Sequence, residues 1–138
     1  MCAARWTPLG LLLTLLITTG CGSSSEVSIG TVSGTVYIDG QPAPAGLQLE
    51  FDPVTKGVRG STAVTNESGQ YEAEYSLSTK GVRLGTCVVK LVQPNVAPPA
   101  PGQMPKRPFP NEYYEEIRQV TISGGHNTID LEISKNGK

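Results

Sequence analysis

From Thr31 onward the chain alternates apolar and polar side chains with a period of two, the rhythm of a strand that turns one face to a core and the other to water. Val32, Val36 and Ile38 fall on one face with Gly34, and Thr31, Ser33, Thr35 and Tyr37 fall on the other, before Asp39-Gly40 signals a tight turn. Leu47, Leu49 and Phe51 alternate with Gln48, Glu50 and Asp52. A strand over residues 60–65 leads into Asn66-Glu67-Ser68-Gly69, a turn in which Asn can bond its own backbone and Gly can take positive φ. Tyr71, Ala73, Tyr75 and Leu77 then share a face, and after a loop over residues 78–85 Cys87, Val89 and Leu91 form an inward set. Val88 and Val92 make that strand apolar on both sides, which predicts a central or covered position. Val120 and Ile122 follow, then a Ser123-Gly124-Gly125-His126 turn, then Ile129, Leu131 and Ile133. Seven short strands, each with one apolar face, must pair into two layers to bury them, which predicts an all-β, seven-stranded antiparallel β-sandwich. The only helical expectation is a single turn within residues 111–118.

The first twenty residues are of a different character. Arg5 is their one charge, and residues 9–17 are apolar apart from Gly10 and Thr14, too short to cross a bilayer as a stable helix and suited to an export signal. The stretch ends Thr18-Thr19-Gly20-Cys21, followed by Gly22-Ser23-Ser24-Ser25. This ending resembles the lipobox of bacterial lipoproteins, with Thr18 where Leu is usual. The resemblance implies cleavage before Cys21, diacylglycerol on its sulfur and an acyl chain on the new amine. Two or more chains anchor a protein stably where one does so only marginally. The alternative is ordinary cleavage near Gly20, which would free a secreted domain with an idle Cys21 thiol. The organisation expected is therefore a signal peptide over 1–20, a lipidated cysteine and tether over 21–29, and a sandwich over 30–138.

Composition narrows the functional classes. Eleven Lys and Arg against twelve Asp and Glu leave no basic surplus for nucleic acid. Of the three cysteines, Cys2 leaves with the signal and Cys21 is the lipid site, so Cys87 is alone in the domain and most simply a small buried hydrophobe. His126 is the single histidine, placed in a Gly-rich turn with no nucleophile or carboxylate beside it in sequence. There is no C-x-x-C, paired-histidine or EF-hand spacing, so neither metal nor cofactor is expected. Asn66-Glu67-Ser68 matches a glycosylation sequon by pattern only, and Tyr37 is a lone outward aromatic rather than a sugar platform.

Residues 93–116 break the alternation. Seven of the eleven prolines lie here, which excludes a paired strand and predicts a long crossover or arm. Lys106, Arg107, Phe109, Tyr113 and Tyr114 cluster within it and form the candidate partner surface. In the competing reading, Phe109 and Tyr113 fold back to cap an open end of the sandwich.

Val32-Ser33-Gly34-Thr35-Val36-Tyr37-Ile38-Asp39-Gly40-Gln41-Pro42, followed by the small residues to Gly46 and the Leu47-to-Phe51 alternation, resembles the opening of the carboxypeptidase regulatory-like domain. Thr65-Asn66-Glu67-Ser68-Gly69-Gln70-Tyr71 and Gly85-Thr86-Cys87-Val88-Val89 are similar to its second and third marks, and the likeness runs over about residues 31 to 133. The resemblance implies a prealbumin- or transthyretin-like sandwich of the Ig-like Greek-key class in an extracytoplasmic setting, a fold used for scaffolding, adhesion, carbohydrate contact and partner binding. The hydrolase branch of transthyretin-like proteins is not matched, because its histidines and its Y-R-G-S ending are missing. The isopeptide-forming pilin branch needs a first-strand lysine that is also missing. The function expected is a non-catalytic, membrane-anchored lipoprotein of the bacterial cell envelope that contacts an envelope protein; a carbohydrate-binding accessory module is the alternative.

Overall fold

The computed structural model describes residues 26–93, 100–103 and 107–138; Cys21 and Lys106 lie outside them. The elements run β1 (Ile29–Ile38), β2 (Gln41–Pro42), β3 (Gln48–Pro53), β4 (Ser61–Val64), β5 (Gln70–Glu72), β6 (Glu74–Ser76), β7 (Thr79–Lys80), β8 (Val82–Arg83), β9 (Gly85–Leu91), α1 (Glu112–Glu115), β10 (Arg118–Ile122), β11 (His126–Thr128) and β12 (Leu131–Ile133). They form two sheets, and the all-β sandwich is as expected.

One sheet is antiparallel, in the order β10-β9-β3-β4-β6-β7. Strand β9, apolar on both faces in sequence, is paired on both edges, by β10 and by β3. The other sheet is built around the ten-residue β1. Its one edge carries β8, β5 and β2 in turn, all antiparallel. Its other edge carries β11 and then β12, both parallel to it. This departs from a wholly antiparallel arrangement: after β10 the chain crosses to the other sheet, so the last strand runs in the same direction as the first. The strand count is higher than seven because several two- and three-residue segments share the edges of β1. Two of them, β7 and β8, lie in the stretch expected to be a loop; they are too short to display an alternation.

The inward faces match the sequence rhythm. Val32, Val36, Leu49, Phe51, Val89, Leu131 and Ile133 are buried between the layers, with Tyr71, Ala73, Cys87, Leu91, Val120 and Ile122. Each fully buried Val, Leu, Ile or Phe contributes roughly 1.5–3 kcal/mol, so this set accounts for most of the driving force. Leu77 is the exception, fully exposed at the tip of the β6–β7 hairpin. The chain changes sheets at Ala73, and a pairing irregularity between Glu74 and Ser76 ends the regular alternation before Leu77.

Turns follow their local chemistry. Asp39 and Gly40 both have positive φ, at 51° and 81°, as a two-residue hairpin between β1 and β2 requires. Asn66 Oδ1 accepts the N–H groups of Ser68 (2.9 Å) and Gln70 (3.0 Å), which fixes the turn into β5. No helix among the described residues is long and apolar enough to cross a membrane.

Candidate functional site

The Pro-rich segment joins β9 to β10, which are adjacent antiparallel neighbours in one sheet. It is a long hairpin connection and not a crossover. Its C-terminal part is tied down by the single helical turn α1, held by Glu116 N–H on the Glu112 carbonyl (2.8 Å), and Ile117 N–H then donates to Val89 (2.7 Å). This matches the one turn expected within 111–118.

Tyr113 points inward and is 3% exposed. Its hydroxyl accepts the Ser134 N–H at 3.1 Å, which links the loop to the C-terminal tail. Tyr113 therefore has no place on a contact surface: in a one-turn helix lying over the open end of the sandwich, the side facing the core must carry an apolar ring. The tail reinforces the link, with Lys138 N–H donating to Glu112 Oε1 and Lys138 Nζ donating to the Glu116 carbonyl at 3.1 Å.

Phe109 and Tyr114 are half-buried and pack against the core edge. Arg107 is fixed in place: Nε donates to Gln93 Oε1 (3.1 Å), Nη1 donates to Asn111 Oδ1 (3.0 Å), and the guanidinium lies 4.9 Å from the Tyr114 ring centre. Burial pushes the Tyr114 hydroxyl above its usual pKa.

Facing these rings is a wall that the sequence reading did not single out. Pro44, Ala45, Gly46 and Leu47 on one side, Leu91 and Val92 beneath, and Pro108, Phe109 and Tyr114 on the other enclose an apolar groove of about 290 Å³. Thr65 supports the first wall: its hydroxyl donates to the Pro44 carbonyl (2.7 Å) and accepts the Leu47 N–H (3.0 Å). The run Pro42-Ala43-Pro44-Ala45-Gly46 marks an irregular stretch in the sequence, but nothing local links it to residues some sixty positions later.

A second, wider cleft of about 740 Å³ lies over the water-facing side of β1 and its neighbours, lined by Ser33, Thr35, Gln70, Glu72, Glu74 and Asp130 among others. Asp130 Oδ1 accepts the Thr35 N–H at 2.8 Å, and Glu72 pairs with Lys80. Beside it, His126 is exposed at the start of β11, with Nδ1 3.2 Å from Thr31 Oγ1 and Nε2 3.3 Å from Ser33 Oγ. Among the described residues its hydrogen-bond neighbours are hydroxyls, Thr128 Oγ1 at 3.4 Å included, and none is a carboxylate. Cys87 is buried, and burial, with Asp52 adding to it, pushes its thiol up to about 11, far from a reactive thiolate. Among the described residues no group of three or more His, Cys, Asp or Glu side chains is placed to hold a metal ion.

No family model and no curated protein matches the chain. Among solved structures it is similar to a DUF3823 family protein from Parabacteroides merdae, at 13% identity and a TM-score of 0.52, over 80% of this chain and 48% of that one. The chain thus spans about half the length of that protein, and at this identity the likeness is one of fold, a β-rich architecture.

Proposed function

We propose that this chain is a non-catalytic, carboxypeptidase regulatory-like sandwich, held at the bacterial cell envelope by lipid on Cys21 and contacting a partner protein through the apolar groove. The observation that carries the reading is the groove's position. It is built at the end of the sandwich where β1 finishes and β9 ends at Leu91, whereas the chain from Cys21 enters at the opposite end, eight residues before Ile29. A module anchored at one end with an apolar groove at the other suits a tethered adaptor. The groove's 290 Å³ accommodates one or two large apolar side chains of a partner, in the way that small buried pockets receive anchor residues. The glycan-binding alternative would need open aromatic faces, and Tyr114 has one of its faces covered by Arg107.

Proximity labelling from the protein in its own cells tests both halves. Cys21→Ser should release the domain from the membrane fraction, and unchanged partition rejects the anchor. Ala45→Arg places a charge at an exposed groove wall without touching the core, and should remove the specifically labelled partner while leaving the fold and anchoring intact. An unchanged labelled set rejects the groove.

A further inference from the structure

The end of the sandwich where the chain enters has its own chemistry. Four connections meet there: residues 53–60 after β3, the β6–β7 hairpin tip, residues 82–85 around β8, and the Ser123–His126 turn. The register brings them together. Ile29 pairs with Arg83, Ile122 pairs with Gly85, and Pro53 pairs with Cys87. The Ser28 carbonyl accepts the Leu84 N–H (3.0 Å), Thr86 accepts the Val54 N–H (3.1 Å), and Gly125 accepts the Thr31 N–H (2.8 Å). The Arg59 guanidinium lies 5.6 Å from the Tyr75 ring centre, joining the 53–60 loop to the hairpin that carries Leu77.

Three of the four large apolar side chains most exposed among the described residues are at this end: Leu77 at 106%, Val54 at 54% and Leu84 at 39%. Lys56, Arg59 and Arg83 are exposed among them, and none of the three makes an ion pair among the described residues. The four connections contain no Asp or Glu; the nearest on the entering chain is Glu26. A chain of formal net charge −1 thus gathers, at one tip, three cations without an ion pair among the described residues and three bare aliphatic side chains.

We propose that this tip is a docking face for a bilayer surface rich in anionic phospholipid. Lys56, Arg59 and Arg83 meet headgroup phosphates, and Leu77, Val54 and Leu84 enter the interfacial layer, the pairing of basic and apolar groups that holds peripheral proteins to membranes. The proposal rests on the anchored reading only for proximity: lipid on Cys21 would sit seven residues before Ser28, which is held at this tip, so a weak surface affinity is converted to high occupancy. Docking would turn the groove at the far end away from the membrane, toward partners.

The test omits the anchor, so its failure is distinct from failure of the Cys21 reading. Residues 26–138 contain every described strand and the whole core cluster, and can be purified as a domain. Cosedimentation is measured with vesicles of equal parts phosphatidylglycerol and phosphatidylcholine, and with phosphatidylcholine alone, at low and high salt. Partition to the anionic vesicles at low salt is expected, with loss on phosphatidylcholine alone and at high salt. The triple variant K56Q/R59Q/R83Q should bind about 100-fold less, at roughly fivefold per cation. L77S should also bind less, whereas Lys135→Gln, at the opposite end, should bind as the unaltered domain does. No partition to anionic vesicles, equal partition to both vesicle types, a triple variant that binds normally, or capture by a soluble polyanion without vesicle binding overturns the proposal.

Discussion

Replacing Gly34 with alanine tests how the first and last strands are locked together. A Cβ built at Gly34 falls 1.9 Å from the Ile129 carbonyl oxygen and 2.6 Å from its carbon, with Tyr71 Oη at 3.1 Å. Both nearest atoms are backbone, so no side chain can rotate away, and β1 must separate from the β11–β12 junction by more than an ångström. Three hydrogen bonds cross that junction: Ile129 N–H to the Ser33 carbonyl (2.8 Å), Thr35 N–H to Asp130 Oδ1 (2.8 Å), and the Tyr71 hydroxyl to the Ile129 carbonyl. At about 1 kcal/mol net each, plus desolvation of whatever is left unpaired, the loss is about 3–5 kcal/mol. Alanine recovers about 0.5–1 kcal/mol by restricting the unfolded chain. The net cost of about 2–4 kcal/mol is a large share of the roughly 5–15 kcal/mol available to a domain. Urea unfolding of residues 26–138, followed by far-ultraviolet circular dichroism, should show the midpoint falling by about 1–3 M. Gly124→Ala is the control, since a Cβ there meets nothing within 4 Å, and Tyr71→Phe, which removes only one bond, should cost about 1 kcal/mol. A Gly34→Ala midpoint equal to that of Gly124→Ala would show that this junction is not close-packed and refute the reasoning.

Two further predictions concern the core. Leu49→Asp places a carboxylate between the sheets and should unfold the domain, at a cost of about 4 kcal/mol or more, whereas Glu50→Lys on the opposite face, 3.4 Å from Lys90, should cost at most about 1 kcal/mol; equal urea midpoints for the two would invert the facing of β3. For Cys87 the folded thiol is raised from 9.0 to about 11, so its contribution is complete below about pH 9 and is lost as pH rises to 11. The unaltered domain should therefore lose stability between pH 9 and 11 by about 2 kcal/mol more than Cys87→Ala does, and parallel urea midpoints across that range would remove the thiol from the account.

The core strands were legible because their alternation is carried by residues that need only one neighbouring layer. Leu49 and Phe51, or Val89 and Leu91, identify their own faces without knowledge of their partners. Asn66 and the Asp39-Gly40 pair announced their turns for the same reason, since their bonds and dihedrals are local. Features that depend on distant pairing were hidden. The parallel return of β11 and β12 leaves no mark in a period-two pattern, because parallel and antiparallel partners bury the same faces. Tyr113 and Tyr114 are adjacent and chemically alike, and only the docking of α1 on the sandwich end decides which one enters the core. The groove joins residues 44–48 to 108–114, so half of its lining could not be assigned from the loop alone. Leu77 misled because it continues an alternation past the point where the chain changes sheets.

The clasp between β1 and the final strands joins residues 95 positions apart, as Thr35 and Asp130 are. During synthesis β1 is therefore left with one bare edge until residues 126–133 have emerged. A product truncated before residue 126 would display that edge as an open template for another molecule, and folding that waits on so remote a partner is slow.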